Sequence, residues 1–197
     1  MNLFFTYTKE EIDKIGNTII YLSEKIPLLS KTKALKLIYL IEETSVKKFG
    51  LPILNLKFFV WMYGPVTKDI FIDLSSNPIL LNEYIKREER DGNSYISPNK
   101  AFSDDEFSDN EMAVIDLVID TFKNYTAEQL VKLTHREHSL WYKTAKENNV
   151  LDLLENKQLN NTEIEIDFSR LLEGDDYKKE IYLQHREFLN VSRSLKL

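Results

Sequence analysis

Apolar positions in the first fifty residues recur at the three-to-four-residue interval of an α-helix. Ile12, Ile15, Ile19, Ile20, Leu22 and Ile26 form one such run, which Pro27 ends. In front of it Thr8-Lys9-Glu10-Glu11 is a capping box, with the Thr8 hydroxyl placed to accept from the Glu11 amide while the Glu11 carboxylate reaches back. Ser30 caps a second run carrying Leu35, Ile38, Tyr39, Ile41 and Glu42, which Phe49-Gly50 stops. The two helices are expected to pack against each other.

The pattern changes at Phe58. Phe58, Phe59, Trp61, Met62 and Tyr63 are too bulky on all sides for a surface helix, so this stretch is placed centrally. Gly64-Pro65-Val66 then interrupts it, and two readings of that corner stand. In the structural one Gly64 supplies backbone freedom, Pro65 opens a helix running to Leu74, and Tyr63 packs with its hydroxyl paired. In the functional one the corner presents Trp61 or Tyr63 as an anchor for a partner. Further on, Asp91-Gly92-Asn93 separates two short runs and predicts an antiparallel hairpin near residues 84–97, the one β element expected.

Helical spacing returns after residue 107. Ser108 to Glu111 is a second capping box, ahead of Met112, Ile115, Leu117, Val118, Ile119 and Phe122. Thr126 to Gln129 is a third, opening a short helix that reaches Thr134-His135, and Ser139 caps another at Leu140-Trp141-Tyr142. Asn160-Asn161-Thr162 reads as a loop, and Asp167 caps Phe168 to Leu172. From Asp176 a C-terminal helix places Tyr177, Ile181, Gln184, Phe188, Val191 and Leu195 on one stripe, either completing the core or serving as an interaction element. The fold class expected is mainly α: a compact multi-helix domain over residues 1–175, with one small hairpin, followed by the helix of residues 176–197. Only five glycines and five prolines agree with long helices.

Charge and composition narrow the function classes. Lys and Arg number 26 against 32 Asp and Glu, and the net charge of −6 has the wrong sign for a generic phosphate binder. Asp104, Asp105, Glu106, Asp109, Glu111, Asp116 and Asp120 follow one another with no Lys or Arg between the first and the last. This run is either a solvated acidic helix start or a surface that steers a basic partner. The absence of cysteine excludes disulfides, thiolate metal sites and thiol nucleophiles, and fits a reducing cytoplasm. No stretch approaches the ~20 apolar residues of a membrane span, so a cytoplasmic protein without membrane contact is expected.

Chemistry-bearing constellations are scarce. His135 and His138 stand three apart in "THREHSLWY", against the four-residue spacing with a Glu base of a zinc hydrolase helix. There is no glycine-rich phosphate loop and no Gly-x-Ser-x-Gly frame. No catalytic residue, metal ligand or cofactor is assigned, and the chain is not expected to be an enzyme.

Three motifs taken together carry a resemblance. "ALKLIYLIEETSVKKFGLPI" (Ala34 to Ile53), "FFVWMYGPVTKDIFIDL" (Phe58 to Leu74) and "LVKLTHREHSLWYKT" (Leu130 to Thr144) resemble, in that order, the Panacea domain. This is the SocA-like antitoxin family, which includes phage-associated GepA-like proteins. The resemblance covers residues 8–172 and implies a mostly helical antitoxin that neutralises a cognate toxin encoded beside it by direct contact, without catalysis. A proteolytic adaptor or phage-host interaction protein that delivers a client to a ClpXP-type protease is the alternative. Carried over, Tyr39, Tyr63, Gly64, Pro65, Val66, Thr134, His135, Ser139 and Trp141 are pattern positions expected mostly to build the scaffold. Candidate partner-binding residues are Trp61, Tyr63, Asp104, Asp105, Glu106 and Phe188. Members that regulate transcription can carry an added N-terminal DNA-binding domain. Here the first capped helix starts within about ten residues of Met1, and no direct DNA binding is expected.

Overall fold

The computed structural model describes residues 7–195 and carries eight α-helices among them. α1 (Lys9–Lys25) begins at Thr8 with its capping box closed in both directions, and α2 (Lys31–Phe49) runs from the Ser30 cap to Gly50 in left-handed conformation, φ 73°. The predicted boundaries hold because each end is set by residues adjacent to it. α3 (Lys68–Asp73), α4 (Asp109–Phe122), α5 (Ala127–His135) and α6 (Leu140–Glu147) follow. α7 (Leu151–Glu155), a 3-10 helix (Phe168–Leu172) and α8 (Asp176–Leu195) complete the order. Among the described residues no helix is long and apolar enough to cross a membrane.

α2 is the axis of the fold. Leu37, Ile38, Tyr39, Ile41 and Val46 are buried along it, and α4, α5 and the 3-10 helix pack around it. Burying each such side chain contributes about 1.5–3 kcal/mol, so this helix anchors everything else. Its burial is so complete that two charged side chains, Lys36 and Glu42, are enclosed with it.

Four strands form two antiparallel pairs rather than one. The expected Asp-Gly hairpin is present as β3 (Ile85–Arg90) and β4 (Asn93–Pro98), turning through Asp91 and Gly92, both at positive φ. It is bound to the body by the Ile96 amide, which donates to the Leu29 carbonyl at 2.9 Å. The second pair corrects the reading of the Gly-Pro corner. β1 (Phe59–Trp61) pairs with β2 (Gly64–Val66), so Pro65 lies in a strand and does not open a helix; α3 starts later, at Lys68. The local reason is register. Pro65 sits opposite Val60, whose amide points away from β2 to the Ile164 carbonyl (3.0 Å), so at this pair the ladder asks for no N–H from proline. Gly64, at φ 97°, is the left-handed residue that lets Trp61, Met62, Tyr63 and Gly64 reverse the chain.

α8 lies across the body with an unexpected face inward. Tyr182 is buried on the 3-10 helix, and His185, Arg186 and Arg193 bond to Asn55, Glu165 and Glu11 at 2.7, 3.0 and 2.7 Å. Most of the apolar stripe read from the sequence faces away, with Ile181 half-buried and the Leu195 side chain outside the described residues. Tyr177 is 75% exposed, Phe188 66% and Val191 51%.

Candidate functional site

The three motifs meet at the corner. Lys36, in the first motif, donates from Nζ to the Pro65 carbonyl at 2.8 Å, which fastens β2 to α2. The third motif closes over the other side. A side chain built on Gly64 would meet Thr134 Oγ1 at 2.8 Å, Lys36 Nζ at 3.1 Å and His135 Nε2 at 3.2 Å, so the backbone there is pressed between α2 and the end of α5. Thr134 donates its hydroxyl to the Val131 carbonyl (3.0 Å), and Ser139 caps α6 by accepting the Tyr142 amide (3.1 Å). His135 stacks flat on Trp141, with ring centroids 3.9 Å apart and planes 8° from parallel. Trp141 in turn donates its indole N–H to the Trp61 carbonyl at 2.9 Å.

Electrostatics at this corner follow from burial. The Lys36 ammonium is enclosed with one carbonyl partner, and loss of hydration lowers its pKa to about 7. The same burial, followed by the Lys36 charge, lowers His135 to about 4, so its ring is neutral at physiological pH. His135 Nε2 is buried without a hydrogen-bond partner among the described residues. Six positions along α2, Glu42 accepts the amides of Ile53, Leu54 and Leu56 at 2.6, 2.9 and 3.3 Å. Burial pushes that carboxyl up to about 7, against the three amides that pull it down. Tyr39 completes the scaffold in an aromatic cluster with Phe58 and Phe168, at centroid distances of 5.2 and 5.6 Å.

The pattern positions thus come together as one buried joint, with one exception. Tyr39, Gly64, Pro65, Val66, Thr134, Ser139 and Trp141 are buried and His135 half-buried, whereas Tyr63 stands at the hairpin tip, 61% exposed. The candidate contact residues divide. Trp61 is half-buried, donates its indole N–H to the Thr162 carbonyl (3.2 Å) and stacks edge-on against Phe71, so it is engaged by the fold. Asp104, Asp105 and Glu106 are exposed in the turn before α4, far along the chain from the corner. Part of the acidic run is engaged nearby: Glu111 pairs with Lys14 (2.6 Å) and Asp120 with Lys123 (2.9 Å), while Asp116 accepts a hydrogen bond from Tyr21 (2.7 Å). Phe188 projects from α8. Among the described residues no three His, Asp or Glu side chains converge as a metal ion needs.

Sequence reading missed Lys36, which ties the first motif to the second, and Glu42, which ties α2 to the segment of residues 53–56. No local signal marks them: Lys33 lies one turn before Lys36 and Glu43 follows Glu42, so only the packing of the body around α2 encloses them. No curated protein and no solved structure matches the chain. The model of the family described as antitoxin SocA-like, Panacea domain, matches residues 35–142, which run from α2 through the corner to the Trp141 turn. That match takes in more than half of the chain, and the protein belongs to the SocA-like Panacea antitoxin family.

Proposed function

We propose that the protein is an antitoxin that neutralises a cognate protein toxin, encoded by the adjacent gene, through direct contact and without catalysis of its own. The observation that carries this reading is the family match over residues 35–142. The use made of the motif residues supports it. Lys36 Nζ and the Trp141 N–H bind the carbonyls of Pro65 and Trp61 and so hold a joint together, Thr134 Oγ1 bonds within its own helix, and the three do not converge on an open cleft. Three exposed features remain for contact: the Tyr63 tip, the Asp104 to Glu106 turn and the outer face of α8. The protein acts in the cytoplasm, which suits a chain without cysteine.

Co-expression with the product of the neighbouring open reading frame tests the proposal. Rescue of growth, together with a complex that survives purification, is the expected result. Failure of both overturns it. Toxin half-life then fixes the mode of action: a masked toxin persists unchanged, whereas delivery to a ClpXP-type protease shortens its lifetime only when the protease is present.

A further inference from the structure

Among the described residues α8 carries a seam without a partner, half-buried only at Ile181. Tyr177, Ile181, Gln184, Phe188 and Val191 are spaced 4-3-4-3, the a/d interval of a coiled-coil helix, and at about 100° per residue they fall within an arc of about 80°. The seam is about 21 Å long from Tyr177 to Val191. Tyr177, Phe188 and Val191 project into solvent from a helix whose opposite face is held by Arg186 and Arg193 and whose flank is held by His185. A helix normally buries its apolar side and leaves its charges in water. Here the orientation is reversed, and it is fixed by three polar contacts to separate parts of the body.

The charge beside the seam selects its occupant. Glu180 and Glu187, seven residues apart, are exposed along its outer edge, and Gln184 within the seam bonds to Glu180 at 3.0 Å. A second copy of the chain fits poorly. Antiparallel pairing sets the Glu180 and Glu187 rows of the two copies against each other. Parallel pairing needs Lys178 and His185 as counter-charges, but Lys178 is bound to Asp175 (3.0 Å) and His185 to Asn55 (2.7 Å). We infer that the α8 seam is a docking site for one amphipathic helix of a different protein, with apolar residues at its a/d positions and Lys or Arg beside them. The inference rests on the reading above that the chain binds a protein partner, and it assigns the surface and the chemistry of that contact.

A binding measurement with peptides tests this without the toxin. One probe is a helical peptide about three heptads long with Leu at a/d and Lys at the flanking positions; its twin carries Glu in place of Lys. Fluorescence anisotropy with the full chain is expected to show the Lys peptide binding at least about tenfold more tightly than the Glu twin, and weakening as salt is raised. Phe188→Asp abolishes binding, whereas Glu180→Lys with Glu187→Lys reverses the preference. Glu83→Lys with Glu89→Lys, in and just before the β3–β4 hairpin, leaves it unchanged. All these positions are exposed, so circular dichroism and Tm stay at the parent values. Equal binding of both peptides, binding that survives Phe188→Asp, or a chain dimer that Phe188→Asp converts to monomer overturns the inference. A failed growth rescue with peptide binding intact overturns the toxin reading alone.

Discussion

Replacing Lys36 by Met is expected to stabilise the fold and to flatten its response to pH. Unfolded, this lysine titrates near 10.5; folded, burial brings it to about 7. Between those values the unfolded chain holds more of the proton than the folded one, so stability rises with pH through this window and is lowest below about 7. The shift corresponds to roughly 4–5 kcal/mol, which is the penalty for enclosing the ammonium at and below neutral pH. Opposing it is the bond to the Pro65 carbonyl, worth about 1.5–3 kcal/mol for a charged donor. Methionine removes both and fills similar space, for a net gain of about 1–3 kcal/mol near pH 7.

Urea unfolding followed by far-UV circular dichroism, at about pH 7 and about pH 9.5, measures the effect. Over that interval Lys36 adds roughly 3 kcal/mol to the parent protein, and the variant lacks this increment. Lys31 and Lys33 are also lowered by burial, so the difference between parent and variant is the quantity to compare. His135 supplies a second readout. Part of its depression comes from the Lys36 charge, so its pKa, followed by NMR, rises in the variant. A variant less stable than the parent near pH 7, or one with the same rise toward pH 9.5, refutes the assignment of a buried charge at this corner.

Gly64→Ala places a Cβ at φ 97° and within 2.8 Å of Thr134 Oγ1; strain of about 1–2 kcal/mol and crowding of similar size give an expected loss of roughly 2–4 kcal/mol in thermal melts. A loss under about 1 kcal/mol contradicts the packed joint. Glu42→Ala leaves three buried amides without an acceptor and is expected to cost about 3–5 kcal/mol, with faster hydrogen exchange at Ile53, Leu54 and Leu56. Unchanged exchange at those amides counts against it. Tyr63→Ala leaves stability within about 0.5 kcal/mol, whereas Trp61→Ala, which loses a bonded and half-buried indole, costs about 2–3 kcal/mol in the same melts. Equal losses at the two positions remove the distinction between tip and scaffold.

What was legible in the sequence was what neighbouring residues decide. The three capping boxes, the Gly50 stop and the Asp91-Gly92 reversal each act within a few residues and sit where their chemistry places them. The Gly-Pro corner was not decided locally. Pro65 is as acceptable at the first position of a helix as in a strand whose amide is not needed. What settles the matter is the segment near residue 164, whose carbonyls take the Val60 and Met62 amides from about a hundred residues further along the chain. Lys36 was hidden for a related reason. Its residue type matches any surface lysine, and only the packing of α2 on all sides, together with the placement of the Pro65 carbonyl, makes it a buried tie.

α8 is the case in which periodicity was read correctly and still left its direction open. The 4-3-4-3 interval identifies the apolar stripe, but an interval carries no information on what covers it. Direction is set by partners distant in sequence: Asn55, Glu165 and Glu11 are placed to bind His185, Arg186 and Arg193, and Tyr182 is buried beside them. Turning the helix to bury Phe188 and Val191 would break those three contacts and leave Glu165 and Glu11 facing apolar side chains, a substantial penalty for partly buried carboxylates. The orientation is therefore a property of the folded body rather than of the helix alone. A stripe held outward against the ordinary preference is available to a second protein, and the glutamates along its edge favour one that is basic.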